Sequence, residues 1–557
     1  MKLFPSFRGY EPRWLRFDLI AGLTVWAILV PQVLAYASIA GVSPVVGLYA
    51  TPGALLLYAA LGSSRMLVMA PIAAGAVLSA AAVGDLIPAG GGRFAAFTAG
   101  MAIVVGIVAL VAGLLRLGFV ANFISPPVLR GFIIGLALTI IVGQLPKLFG
   151  LHPTGGDFFE QAWRLITHLG DTQGLSLLVG VLSLAVIIGL RRLAPGFPGP
   201  LVAVVGAIAA VKVFDLDVPT VGKIGSGLPS FGLPDIGFGD AGKLAAAGFG
   251  VMLVGFAEGL AAAKAYAARN NEHIDANREL VALGGANLAS GLSSGMVVSG
   301  SLSKTAVNAT AGARTQVSGL VAGALTIVAL LFLTGLFEDL PQATLAAIVI
   351  AAVVELIDVP VLIDLYNTYT KRLGRQFGWV ARPDFIAALT ALLGVTVFGT
   401  LPGLFIGIGA SLLLLAYRAS RPYVAVLGRT PGADREYRDV DQHRDAHQHD
   451  DITVLRIESG LFFANAENVR SRILEAGGAD DVRAVIVDAE TTPFVDVSAA
   501  RMLVAVHEEL RANGVRLMLA RDVGQVRDVL GCFSDDGDLP PSYPTIEAAI
   551  DALGPAR

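Results

Sequence analysis

Charge is missing from long stretches of this chain, and that absence limits what it can fold into. Between Asp18 and Arg65 stand 46 residues without an Asp, Glu, Lys or Arg, and between Asp384 and Arg418 stand 33. A helix that crosses a bilayer needs about 20 mostly apolar residues, because no water is there to satisfy a backbone group left unpaired. The first gap holds two spans and the second holds two short ones. Gaps for further spans recur at 66–84, 94–115, 131–146, 172–190, 193–211, 244–257, 280–303, 315–337 and 340–354. With the short segment near 299–311, which Lys304 interrupts, fourteen candidate spans result. The segments near 70–82, 281–292 and 299–311 are short enough to be half-helices. The apolar run that begins near residue 18 is not closed by a cleavage pattern, so it is read as a permanent first span.

Composition agrees with that reading. Hydrophobic residues make up 55% of the chain and charged residues 15%, with a mean hydropathy of +0.69. A soluble domain carries about 25% charge. Disordered, collagen-like and disulfide-rich classes are excluded, and an ordinary soluble enzyme does not fit. Cys532 is the single cysteine, which rules out an intrachain disulfide and a multi-cysteine metal site. The net charge of -4 conceals a split: residues 1–430 hold 27 Lys and Arg against 20 Asp and Glu, whereas 431–557 hold 13 against 24. A mildly basic membrane body therefore precedes an acidic tail, and nothing points to nucleic acid. Cytoplasmic loops favour Lys and Arg. With the N-terminus in the cytoplasm, 21 basic residues before 430 fall on that side, among them Lys2, Arg65, Arg191, Lys371, Arg372 and Arg375, and six on the other. This places the tail in the cytoplasm.

Three segments stand out in the membrane body. In PQVLAYASIAG (31–41), Pro31 is expected to disrupt the helix, and Gln32 and Tyr36, four apart, share a face. Two polar groups packed against neighbouring helices would be the bland explanation. Glu258 lies in GFAEGLAAAKAYA (255–267). An acid there costs about 2.5–3.5 kcal/mol on the insertion scale and is a functional hypothesis by default. Lys264 does not neutralise it along the helix, since six residues place the two about 120° apart. The third segment, SSGMVVSGSLSKTAVNATAGART (293–315), is crowded with small hydroxyl residues and carries Lys304. Such residues suit either a close-packing face or the start of a short helix, whose first N–H groups have no partner and whose dipole favours anions. Met69-Ala70-Pro71-Ile72 opens a matching short segment in the first half, with Pro71 expected in the first turn. Two short helices whose N-termini face each other form a midplane anion site in inverted-repeat transporters.

These residues together resemble the sulfate permease family, which also holds bicarbonate and dicarboxylate transporters. PQVLAYASIAGVSPVVGLYATPGALLLYAALGSSR (31–65) carries the resemblance most specifically, and EGLAAAKAYA (258–267), NRELVALGGANLASGL (277–292) and SLSKTAVNATAGARTQ (301–316) follow in the family's order. The resemblance implies an α-helical membrane fold of fourteen spans in two inverted seven-span repeats, with core and gate domains. It implies a substrate held between half-helices 3 and 10. Gln32, Tyr36, Ala70, Ile72, Ser303 and Lys304 match the substrate-site positions, and Glu258 matches the acid of span 8. The chain departs from the pattern in several places. Lys304 stands where Arg is common and keeps the charge without the planar fork. Ala70 stands where Gly is usual. Where the sodium-binding branch has a hydroxyl, one turn after the span 8 acid, this chain has Ala262, so protons are favoured over sodium as coupling ion. The family also implies a homodimer.

In the tail, 431–450 reads as a polar linker with His443, His447 and His449, and 451–557 as a soluble α/β domain with a mixed sheet. Strands are expected at 452–457, 461–466, 483–490 and 515–520, and helices at 467–477, 497–514 and 544–553. FFANAE and VDVSAARML resemble the STAS domain that ends these permeases. Ser498 matches a phosphorylatable serine of related regulators, although a serine at a helix start is first of all a cap. The domain carries no catalytic constellation. The expected protein is therefore no enzyme and needs no cofactor. It is a multi-pass transporter of the inner or plasma membrane, moving a small oxyanion, sulfate before bicarbonate or a dicarboxylate, by elevator-type displacement with proton coupling. An anion channel is the competing class.

Overall fold

The computed structural model describes residues 3–554 except 89–90, 152–155, 195–196, 224, 226, 270–271, 369–381, 432–435, 480 and 534–538. Lys2, Lys371, Arg372 and Arg375, used for the orientation above, lie outside the described residues. Two compact units divide the chain, the second of them containing the whole tail.

The membrane body begins with α1 (Leu15–Ile39), α2 (Val45–Leu61), β1 (Val68–Ala70), α3 (Ala73–Gly84), α4 (Gly91–Leu114) and α5 (Pro126–Leu148). Then come α6 (Phe158–Thr167), α7 (Gly174–Leu193) and α8 (Gly199–Phe214). The second half repeats the order: α9 (Phe238–Arg269), α10 (Ala276–Leu292), β2 (Ser299–Ser301), α11 (Leu302–Thr310), α12 (Val317–Phe332) and α13 (Gln342–Val354). It closes with α14 (Val359–Asn367), α15 (Pro383–Phe398) and α16 (Thr400–Ala419). Setting aside the short α6 and α14, this makes two sets of seven spans among the described residues. In each set a three-residue strand precedes the third span, and a short helix separates the fifth from the sixth.

Packing sorts these helices into two groups. In the core group, α10 lies against α2 and α4, α12 against α1 and α2, and α9 against α4. In the gate group, α5 lies against α13 and α15, and α7 against α8 and α13. Apolar lipid gives helices no hydrophobic reason to associate, so close backbone approach at small residues does the work. Gly106 and Gly113 of α4 stand against Leu288 and Val281 of α10, and Gly284 and Gly291 of α10 against Leu110 and Ile103 of α4, each glycine pair seven apart and so on one helix face. A methyl group on Gly284 would stand 2.8 Å from the Gly106 carbonyl oxygen, and one on Gly291 would stand 2.7 Å from that of Ala99.

Two local expectations change. α1 runs unbroken through Pro31, because the surrounding bundle holds the helix while the ring removes only one backbone donor. Pro71 stands outside α3, whose N-cap is Ile72.

The tail forms a six-stranded sheet in the order β4-β3-β5-β6-β7-β8. Its strands are β3 (Val424–Arg429), β4 (Tyr437–Asp439), β5 (Ile452–Ile457), β6 (Ala484–Asp488), β7 (Arg516–Ala520) and β8 (Ser542–Tyr543). β3 pairs antiparallel with β4 and β5, and β5 through β8 are parallel. Helices α17 (Ala466–Gly477), α18 (Val497–Ala512), α19 (Gly524–Gly531) and α20 (Ile546–Asp551) cover it. Val485 and Val487 enter one core with Val469 and Leu503, while Ile486 between them enters another with Ile546. That alternation is the strand period.

Residues 431–450 are not a plain linker, since β4 lies within them. Tyr423 Oη donates to Asp439 Oδ2 at 2.8 Å, and Tyr437 Oη sits 3.0 Å from His449 Nε2. The stretch 461–466 is not a strand. Leu461 makes an isolated bridge to Val495, and the chain then turns. Asn465 Oδ1 accepts the Phe462 N–H at 3.0 Å and Asp496 Oδ2 that of Phe463 at 2.8 Å, so side chains take the donors a ladder would need.

Candidate functional site

The two short spans meet at their beginnings. β1 and β2 pair antiparallel, Val68 opposite Ser301 and Ala70 opposite Ser299. Three paired residues make a ribbon roughly 7 Å long. α3 leaves one end and α11 the other, in opposite directions, so both N-termini point back at the ribbon. Neither short helix can cross alone, and each spends its positive dipole end inside the body.

The backbone donors at these two ends are uncommitted. At α3 the first helical bond is made by Ala76 N–H to Ile72 O, and Ile72 supplies no side-chain cap. The N–H groups of Ala73, Ala74 and Gly75 find no acceptor among the described residues, yet Ala73 and Ala74 are buried. At α11 the cap Ser301 Oγ accepts only the Lys304 N–H, at 3.3 Å, leaving those of Leu302 and Ser303. Buried N–H groups such as those of Ala73 to Gly75 are rarely left without partners, and with the two at the exposed start of α11 they make five at two facing dipole ends, which suit an anion.

Lys304 is 2% exposed. Its Nζ donates to Pro71 O at 3.2 Å, across from α11 to the approach of α3, and lies 5.0 Å from the Tyr36 ring centroid. Tyr36 and Gln32 present the same face of α1, and the Gln32 Oε1 is buried without a hydrogen-bond partner among the described residues. Ala70 and Ile72 are buried at the ribbon's end, while Ser303 is exposed with its Oγ 3.3 Å from that of Ser301. Lys304 of α11 thus touches both Pro71 in the β1–α3 turn and Tyr36 of α1.

Glu258 reaches the same level by a different contact. Ser299 Oγ donates to Gly255 O at 2.6 Å, and Gly300 lies against Gly259. Glu258 therefore occupies the turn of α9 that carries β2. It is half-buried and has no hydrogen-bond or ion-pair partner among the described residues; Lys264 is exposed. A methyl group on Gly300 would stand 2.7 Å from Gly259 Cα, closer than backbone tolerates. Gly300→Val is expected to push β2 off α9 and to abolish uptake while the tail still folds, measurable as lost transport with an unchanged tail in limited proteolysis.

Sequence reasoning missed the polar side chains that hold this crossing in place. Asn287 Nδ2 donates to Val298 O at 2.9 Å and its Oδ1 accepts Val298 N–H at 3.0 Å. Thr305 Oγ1 accepts the Val68 N–H at 3.1 Å, and Asn308 Nδ2 donates to Met66 O at 2.9 Å. Gln316 Nε2 donates to Ser64 O and Leu67 O. Two buried acids tie loops to helices: Asp18 accepts from Arg314 N, Thr315 N and Thr315 Oγ1, and Glu279 from Tyr58 Oη, Ser63 N and Ser63 Oγ. Their signal in the sequence is a polar residue inside an apolar run, but the partner lies too far along the chain to be read.

A separate cavity of about 400 Å³ is lined by Trp26, Val30, Val204, Ile208 and Phe337 among others, Lys212 included. None of Gln32, Tyr36 or Lys304 lines it, and its apolar walls do not suit an anion. In the tail, the cap of α18 is Asp496, whose Oδ1 accepts the Ala499 N–H at 2.8 Å. The Ser498 hydroxyl, expected to cap, is exposed and makes no hydrogen bond among the described residues.

The sulfate permease family model matches residues 15–373 and the STAS domain model residues 443–549. The chain belongs to the sulfate permease family. It is 36% identical over 534 residues to "Probable sulfate transporter MT1781" of Mycobacterium tuberculosis, covering 95% of this chain and 93% of that one. The fold of this permease-family member is similar to that of the murine Slc26a9 anion transporter in its inward-facing state, with TM-score 0.87, 23% identity and coverage of 99% and 94%. It is also similar to the transmembrane domain of the cyanobacterial bicarbonate transporter BicA, with TM-score 0.59, 23% identity and coverage of 70% and 98%. The family's inverted-repeat membrane body and C-terminal STAS domain are both present.

Proposed function

We propose that this chain is a secondary active transporter of a small oxyanion, with sulfate as first candidate. The observation that carries the reading is the pair of facing helix N-termini, with five uncommitted backbone donors and the buried Lys304 between them. An oxyanion accepts several N–H bonds at once, and the two dipole ends supply positive potential without many formal charges. The name borne by the mycobacterial relative favours sulfate.

Gln32, Tyr36, Ser303 and Lys304 contact the anion from their side chains, and Ala70 to Ile72 contact it through the backbone. Glu258 carries the coupling proton. The separate packing of the core and gate groups supports an elevator-type movement of one past the other. The chain works as a homodimer in the inner or plasma membrane, with the N-terminus and STAS domain cytoplasmic, and Ser498 is the position through which phosphorylation would regulate it.

The test is uptake of labelled sulfate into proteoliposomes with an acidic outside and alkaline inside. Accumulation above equilibrium is the expected result. Dissipation to equilibrium without accumulation assigns a channel instead. Competition by bicarbonate and fumarate in the same vesicles ranks the anions, and sulfate displaced completely by either one overturns the substrate assignment.

A further inference from the structure

We propose that α6 and α14 are interfacial helices that each lay an apolar stripe into phospholipid, one at either membrane face, and so anchor the gate group at both surfaces. The inference depends on the membrane fold and not on which solute is carried. Both helices stand at the same place in their repeats, between the fifth and sixth spans. Ten residues of helix span about 15 Å, and α14 is shorter still, so neither crosses the roughly 30 Å hydrocarbon layer. The spans on either side keep each one at the membrane surface. Spans 5 and 12 run in opposite directions, so α6 and α14 lie at opposite faces.

The two helices display the same pattern. In α6, Phe159, Trp163 and Ile166 are all more than half exposed; in α14, Val359, Ile363 and Tyr366 are each about half exposed. Residues at i, i+4 and i+7 fall within about 60° of one another on a helix. Each set therefore forms one stripe in which about half or more of every side chain is left uncovered by the described residues. Both helices begin at an aspartate cap, Asp157 accepting the Glu160 N–H at 2.9 Å and Asp358 accepting that of Val361 at 3.4 Å. Both are packed on the gate, α6 against α5 and α15, and α14 against α15. Tyr366 is held there by the Phe385 ring at 5.2 Å and by Arg382, whose Nε donates to Tyr366 O at 2.7 Å.

Phospholipid is the occupant that fits the position. Trp and Tyr, an apolar ring with one polar atom, favour the headgroup level, and each stripe contains one of them. An amphipathic helix at the membrane surface buries its apolar face about 5–10 Å into the headgroup and acyl boundary. On the flank of the α6 stripe, Glu160 pairs with Arg164, which places charge where the headgroups would be.

The experiment uses the full chain with Cys532→Ser, single spin labels introduced by F159C, W163C, I166C, V359C, I363C and Y366C, and E467C as the water-exposed reference. In proteoliposomes, labels on both stripes are expected to collide with dissolved oxygen in preference to a water-soluble nickel chelate, several-fold more than the reference does. A ratio equal to that of E467C at either helix overturns the paired anchor. Shielding from both collision partners assigns the stripe to protein, such as a second copy of the chain, and overturns it equally. Should a labelled variant not fold, brominated phospholipids are expected to quench Trp163 fluorescence in W14F/W26F/W379F protein, and absence of quenching overturns the assignment for α6.

Discussion

Lys304→Met is expected to raise the KM for anion uptake about 10- to 100-fold. Met keeps most of the length and apolar volume, so the contact with the Tyr36 ring survives while the charge and its donor atoms are lost. A hydrogen bond to a charged group contributes about 1.5–3 kcal/mol, and each 1.4 kcal/mol is about tenfold in affinity. The same substitution leaves Pro71 O, which Lys304 satisfies at 3.2 Å, without its donor. Lys304→Arg retains the charge and is expected to lose far less. Labelled-sulfate uptake against concentration, run on the three proteins side by side, separates these outcomes. A Met variant with an unchanged KM would remove Lys304 from the site and leave the backbone donors alone to explain binding.

Glu258→Gln is expected to abolish accumulation driven by a pH gradient while leaving exchange of labelled for unlabelled anion intact. The swap is close to isosteric. It breaks no protein hydrogen bond, because Glu258 has none among the described residues, so packing of α9 against β2 is retained. What changes is the ability to take up and release a proton within the body. The two assays use one preparation, with and without an imposed gradient, and a protein that had lost its fold would fail both. Undiminished proton-driven accumulation by the Gln variant would sink the coupling role.

The two residues differ in how far the sequence alone exposes them. Glu258 is legible because an acid within an apolar span is costly wherever its helix goes. Lys304 is legible as a cation in a hydroxyl-rich stretch, but its partners are not, since Pro71 lies more than two hundred positions earlier. Ser498 illustrates the opposite failure. Its place at a helix start suggested a cap, but Asp496, two positions earlier, has the carboxylate at the N-cap itself. Similarly, FFANA has the composition of a strand, and only the side chains of Asn465 and Asp496 reveal that its backbone donors are taken.

Spacing between charges was enough to set the number of spans, because the cost of burying a charge in lipid is local and acts on every window of the chain alike. Helical periodicity, equally local, put Gln32 and Tyr36 on one face. The crossing itself was decided elsewhere. Val68 meets Ser301, Asn308 meets Met66, and Gln316 meets Ser64 and Leu67 only after two distant halves of the chain have packed. Hydrogen bonds of that kind satisfy backbone groups for which lipid offers no alternative, so they are fixed by which segments come together in space, and adjacent residues carry no trace of the choice.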